Sequence, residues 1–416
     1  MAKLIQNSSR KSFSQSILPK LFSLFFLPQC SLLVFFDLQF FTKLVAATPA
    51  VKVEEIAQQP SATQDATRAA ANKVLEEGNK LYQQGTIESL RQAIKKWEEA
   101  LSLFRRVNDK EGKAITLNNI GKIYSDLGQK HKALQFLNQA LYLYRAVENN
   151  IGEATALNNI GLVYNYLGEK NKALKFFNQA LPLTRAVGDR RVEATTLNNI
   201  GGVYDALGQK HKALQLFKQA LPLLRAVGDR KVEATSLNNI GQVYNYLGQK
   251  QKALEFYNQA LPLTRAVGYR RVEAGILNNI GQVYDALGQK QKALKFYNQT
   301  LPLLRTVGDK NGEAATLNNI GVVYKNLGQI QKALEFFNQA LPLRRVVGDR
   351  NGEATTLNNI GGVYDDLGEK QKALEFYNQA LPLHRAVGDR SGEATTLSNI
   401  GVVYSDLGQR EKALEL

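Results

Sequence analysis

Cysteine is nearly absent from this 416-residue chain, Cys30 being the only one. Internal disulfides, thiolate metal sites and a cysteine nucleophile beyond residue 30 are thereby excluded. Histidine is scarce too: His131, His211 and His384 are the full set. The first two hold equivalent positions flanked by lysines, which suits a solvated surface better than a metal. No run of five like charges occurs, and no apolar stretch reaches the roughly 20 residues that cross a bilayer as a helix. A phosphate-binding loop is missing as well. Nothing in this inventory calls for a cofactor, a metal or a small-molecule substrate, and a non-catalytic chain is the expectation.

The net charge of +16 is what remains to be placed. Residues 1–50 hold Lys3, Arg10, Lys11, Lys20 and Lys43 against Asp37, so most of the excess lies further on. In the segment itself a basic stretch precedes the apolar run Leu21 to Phe36, and small residues follow in "VAATPA". That order is that of a secretory signal, cleaved after Ala47 or Ala50, and it predicts a secreted, periplasmic or cell-envelope protein. The alternative is an uncleaved membrane anchor formed by residues 21–47. Pro28 and Gln29 disfavour a lipid on Cys30. Residues 51–70 have no apolar period and read as a linker.

From Leu117 onward almost every position recurs forty residues later, Tyr124, Tyr164 and Tyr204 among them. Within residues 352–390, Ala354, Leu357, Ile360, Val363, Tyr364 and Leu367 fall at helical spacing before Gly368. A second helical pattern runs from Ala373 to Val387 before Gly388. Each unit is therefore helix, glycine turn, helix, glycine turn, with Asp389 as N-cap of the next first helix and Glu393 in its opening turn. Neither helix can bury its apolar stripe alone, so neighbouring units must stack. Pro182, Pro222, Pro262, Pro302, Pro342 and Pro382 lie inside second helices and predict a kink or an early tightening.

Leu117-x2-Ile120-Gly121-x2-Tyr124, followed by Ala133-x3-Leu137 and Ala140, resembles the tetratricopeptide signature. The forty-residue period resembles the kinesin-light-chain type, and repeats of this kind resemble those preceding caspase-like CHAT or signalling ATPase domains in cyanobacterial proteins. The resemblance implies an all-α fold, an α-solenoid (right-handed superhelix) of stacked antiparallel helix pairs. It covers residues 71–416: a divergent first repeat at 71–109, seven repeats across 112–388, and an incomplete ninth at 392–416. The chain stops about one turn into a second helix, so a continuation, or completion by a partner, is expected.

"LNNIG" stands in seven of these repeats and "LSNIG" at 397–401. Asparagine is an indifferent helix former, costing up to about 0.7 kcal/mol against alanine, so the fifteen in these motifs forgo on the order of 10 kcal/mol. At 100° per residue, Leu357, Ile360, Gly361 and Tyr364 share one side of the helix, while Asn358 and Asn359 fall opposite, away from the core of their own repeat. In tetratricopeptide proteins that face lines the concave groove and its asparagines hold a bound peptide's backbone. The resemblance thus implies partner contacts at Asn118, Asn158, Asn198, Asn238, Asn278, Asn318 and Asn358, and after them at Asn119, Asn159, Asn199, Asn239, Asn279, Asn319, Asn359 and Asn399. The competing reading is that one member of each pair bonds to the adjacent repeat.

Asp126, Asp205, Asp285, Asp365, Asp366 and Asp406 lie beside this ladder, with Tyr166, Tyr246 and Lys325 as its sole cation, so a neutral to acidic groove is expected. Lys130, Lys132, Lys170 and Lys172 fall at the start of second helices and read as outer surface. The leading expectation is a scaffold holding a protein or peptide segment, basic or extended, in the concave groove. A regulatory repeat region of a larger signalling or CHAT-protease protein is the alternative. The charge distribution disfavours nucleic acid, and contact with a membrane is confined to the N-terminal segment.

Overall fold

The computed structural model describes residues 53–84 and 86–415, and the signal or anchor reading of residues 1–50 lies outside them. Two units are distinguished, Met1–Pro60 and Ser61–Leu416, and the array is the second. Among the described residues there are eighteen α-helices and no strand. The first pair is α1 (Val53–Gln84) and α2 (Ile87–Arg106), followed by α3 (Lys110–Asp126) with α4 (Lys130–Ala146) and α5 (Asn150–Tyr166) with α6 (Lys170–Ala186). The middle pairs are α7 (Arg190–Ala206) with α8 (Lys210–Val227), α9 (Arg230–Tyr246) with α10 (Lys250–Ala266), and α11 (Arg270–Ala286) with α12 (Lys290–Thr306). The rest are α13 (Lys310–Asn326) with α14 (Ile330–Val347), α15 (Arg350–Asp366) with α16 (Lys370–Val387), and α17 (Arg390–Asp406) with the short α18 (Arg410–Leu414). From α2 onward each helix packs on its chain neighbours, α1 meets α2 where Trp97 Nε1 donates to Leu75 O, and each first helix from α3 onward also touches the first helix of the next pair. That is the nearest-neighbour arrangement of an α-solenoid.

The stretch read as a linker is helical, since α1 already begins at Val53. Its alanine-rich residues 62–70 are mostly solvent-exposed, which is why they show no apolar period. Arg68 ties this exposed turn to Asp109 at 3.1 Å. In α2, Thr86 and Ser89 form a reciprocal capping box.

Inside a pair, small residues decide the spacing. Ala133, Ala140 and their counterparts as far as Ala373 and Ala380 are fully buried. A methyl group added to Gly161 would lie 2.5 Å from the Phe177 ring, and one on Gly241 would lie 2.5 Å from Tyr257. Only hydrogen fits between those helices at this position. The turns obey a second rule. The glycines ending each helix are left-handed, as at Gly188 (φ 70°) and Gly368 (φ 76°), and Asn108 and Glu148 take that conformation where glycine is missing. Asp389 caps α17 by accepting from Gly392 N at 3.0 Å, as expected. Glu393 goes further and binds Arg385 Nε at 2.6 Å, a bridge between consecutive pairs that recurs from Arg145–Glu153 onward. The prolines do not end their helices: α6 continues from Pro182 to Ala186. They sit on the exposed side, where water can take the carbonyl bond that proline cannot make.

Candidate partner-binding surface

The first helices place Asn118, Asn158 and Asn198 at 6%, 5% and 8% exposure. Asn238, Asn278, Asn318 and Asn358 are half-buried, as are Asn119, Asn159, Asn199, Asn239, Asn279, Asn319, Asn359 and Asn399. The first of each pair lies as deep as the second or deeper. The side of a first helix opposite its own partner is only partly free, because the next repeat covers some of it.

Across that junction the amides bond to each other. Asn159 Nδ2 donates to Asn118 Oδ1 at 2.9 Å, Asn279 to Asn238 at 3.0 Å, Asn319 to Asn278 at 3.2 Å and Asn359 to Asn318 at 3.0 Å. Asn399 reaches Asn358 at 3.4 Å, and Asn119 reaches Asn79 of the divergent repeat at the same distance. An amide suits a continuous ladder because it carries both a donor and an acceptor. Two rungs are missing. Asn158 turns its Nδ2 toward Thr196 Oγ1 (2.7 Å) and Ala154 O (3.1 Å). Its Oδ1, Asn199 Nδ2 and Asn198 Nδ2 are left buried without partners. Asn198 Oδ1 accepts from Ser236 Oγ at 2.9 Å instead of from Asn239. In the completed rungs the Oδ1 of the second asparagine accepts from no described group, so that acceptor remains on the half-buried face.

The acidic row is not bare. Lys210 Nζ lies 2.8 Å from Asp205, Lys290 2.6 Å from Asp285 and Lys370 2.7 Å from Asp365. Lys370 also holds Asp406 of the next repeat at 2.5 Å, and these two carboxylates keep its ammonium protonated well above the usual lysine range. Lys170 and Lys250 bind Asn165 and Asn245 in the same way. Where a second helix begins with lysine, that lysine therefore reaches back over the glycine turn, and Lys325 is not the sole cation on this face. One exchange in the sequence signals the pairing. Where the acidic position becomes Lys325, the lysine five residues on becomes Ile330. Lys325 then turns to Asp366 of the following repeat at 3.3 Å.

Tyr166 and Tyr246 are 64% and 71% exposed. Lys130 and Lys210 of their preceding repeats lie 4.2 and 4.3 Å from the ring centroids, within cation–π range. Asp126 accepts from Tyr82 Oη at 3.0 Å, and burial together with that carboxylate pushes the Tyr82 phenol up. Lys132 and Lys172, read as outer surface, lie over the motif tyrosines Tyr124 and Tyr164 at 4.1 and 5.3 Å. The face thus presents amide acceptors, two exposed rings and lysine–carboxylate pairs. Such groups can meet the donors and acceptors of a polar chain. Among the described residues no group of three His, Cys, Asp or Glu side chains forms a metal site.

A family profile described as tetratricopeptide repeat matches residues 87–146, 152–226, 194–266, 232–306 and 312–386, and a second of the same description matches 394–416. The chain is a tetratricopeptide repeat protein. No curated protein sequence matches this tetratricopeptide protein at a significant level. Among solved structures it is similar to the quorum sensor NprR from B. thuringiensis, at 18% identity and a TM-score of 0.63, over 85% of this chain and 97% of that one. It is also similar to a signal transduction ATPase (STAND) with a tetratricopeptide repeat sensor from Pyrococcus horikoshii, at 16% identity and TM-score 0.62. That match covers 83% of this chain and 51% of the ATPase, so the chain spans about half of that protein's length. A Rap protein complexed with Competence and Sporulation Factor matches at 14% identity and TM-score 0.51, over 82% of this chain and 99% of that one.

Proposed function

We propose that this tetratricopeptide array is a protein-interaction scaffold that holds an extended segment of a partner along the first-helix face. The observation that carries this reading is the row of unused Oδ1 acceptors on Asn159, Asn279, Asn319 and Asn359, flanked by the exposed rings of Tyr166 and Tyr246. Stacked helices lie roughly 8–10 Å apart and an extended chain advances about 3.3 Å per residue, so one acceptor meets about every third backbone N–H of the partner. Backbone contacts give affinity without regard to side chains, and the tyrosines and lysines supply the selectivity.

Three tyrosines allow a matched test. A photo-crosslinking amino acid in place of Tyr166 or Tyr246 reports on the first-helix face, and one in place of Tyr142, 72% exposed on a second helix, reports on the other. In extract from the native cell, adducts are expected from the first two positions. Equal yields at all three positions, adducts at 142 alone, or none at any would sink the groove assignment.

A further inference from the structure

Three consecutive repeats carry an extra cation that the others lack. The second residue of the first helix reads Glu111, Ile151, Arg191, Lys231, Arg271, Asn311, Asn351 and Ser391 along the array. Together with Arg190, Arg230 and Arg270 just before them, Arg191, Lys231 and Arg271 make six exposed cations at the starts of α7, α9 and α11.

The array's own stability does not explain them. Cations in the first turn of a helix oppose its dipole. Pairing between repeats uses two of the six: Arg191 binds Asp229 at 2.8 Å and Arg271 binds Asp309 at 3.2 Å, both arginines remaining about 70% exposed. Lys231 would meet the equivalent acid at position 269, but Tyr269 stands there, and the ammonium lies 5.9 Å from its ring centroid. Among the described residues Arg190, Arg230 and Arg270 make no ion pair. Two cavities meet at Lys231. One of about 370 Å³ is lined by Arg191, Asp229 and Arg230 beside it. The other, about 860 Å³, brings Lys231 and Arg271 together with Tyr82 and Asp126 of the first two repeats.

We propose that this tract is a docking surface for an acidic segment of a protein partner, separate from the asparagine face. Cations recurring once per repeat, about 8–10 Å apart, match an extended chain with a carboxylate at about every third residue. A protein segment fits better than a polyphosphate: Asp126, Asp229 and Asp309 interrupt the positive field, which discrete carboxylates avoid and a continuous phosphate backbone does not. Nor does the tract carry the series of stacked aromatic rings that single-stranded nucleic acid uses.

The probe is a fluorescent peptide with glutamate at every third position in a glycine–serine background, titrated with the full chain by anisotropy. Binding that weakens with salt is expected, and R230E/K231E/R270E should lower the affinity about tenfold or more. None of these three residues pairs with a carboxylate of the array, so the variant should melt no lower than the parent. Unchanged affinity in that variant, equal binding of a glutamine version of the peptide, or tighter binding of duplex DNA or phosphatidylserine vesicles would overturn the assignment. Loss of peptide binding with intact crosslinking at positions 166 and 246 would separate this surface from the first-helix face.

Discussion

Asn359 donates its Nδ2 hydrogen to Asn318 Oδ1 across 3.0 Å, so the second asparagine of one repeat completes the first asparagine of the repeat before it. Thr356 Oγ1 lies 3.3 Å from the same oxygen. Asn318→Ala strands the Asn359 amide, while Thr356 Oγ1 keeps its 2.9 Å bond to Gly352 O, so it should destabilise the array by about 1 kcal/mol even after the helix propensity that alanine regains. Asn359→Ala removes one donor, leaves the threonine in place and regains up to about 0.7 kcal/mol of helix propensity, so it should be nearly neutral. Urea unfolding midpoints separate the two, and equal losses would mean that the ladder does not join the repeats.

The helix pairs, glycine turns and aspartate caps were legible in the sequence because each depends on residues within one turn of the chain. Leu117, Ile120, Gly121 and Ala133 announce their packing by spacing alone. The asparagines were harder to place. A helical wheel separates core from non-core for one pair, whereas a stacked helix also has a neighbour forty residues on, and Asn118 belongs to that junction. The reach of Lys210 to Asp205 was missed for a related reason: it crosses a left-handed glycine, where helical periodicity no longer says which side chains meet. The exchange at Lys325 and Ile330 was the readable clue. The depth of this face and its charge balance were not legible.

Adjacent glycines in α7 give the sharpest test of close packing. A methyl group on Gly201 would lie 2.7 Å from the Phe217 ring, whereas one on Gly202 meets nothing within 4 Å. Gly201→Ala should therefore cost about 1–3 kcal/mol through overpacking. Gly202→Ala should stabilise by up to about 1 kcal/mol, the helix-propensity gain of alanine over glycine. Opposite shifts of the melting temperature are the expected result, and a shared direction would contradict the packing described.

The exchanged repeat invites a double-mutant cycle. Lys325→Asp places a carboxylate near Asp366 with no lysine at 330 to hold it, while Ile330→Lys brings a second ammonium toward Lys325 and loses apolar packing. Combined, the two changes rebuild the pair seen at Asp285 and Lys290. The double variant should be more stable than the sum of the singles by about 0.5–1 kcal/mol, and the surplus should shrink in high salt. Strict additivity would show that the reach-back pair contributes nothing.

Tyr257 is fully buried and its hydroxyl has no hydrogen-bond partner. Phenylalanine fills the same position in other repeats, at Phe177, Phe217 and Phe337. A buried hydroxyl left unpaired costs about 1–3 kcal/mol, so Tyr257→Phe should stabilise the array by about 1 kcal/mol at neutral pH. Burial also pushes this phenol above its ordinary value, as it pushes Tyr377 up to about 12. The folded state then holds the phenolic proton more tightly than the unfolded chain does. Its contribution to stability is fully present below pH of about 10 and is lost as pH rises beyond that. Between pH 8 and 11 the parent should lose more stability than Tyr257→Phe, the gap in urea midpoints widening with pH. A constant gap would mean that Tyr257 titrates alike in both states, and a destabilised variant at pH 8 would mean that its hydroxyl has a partner after all.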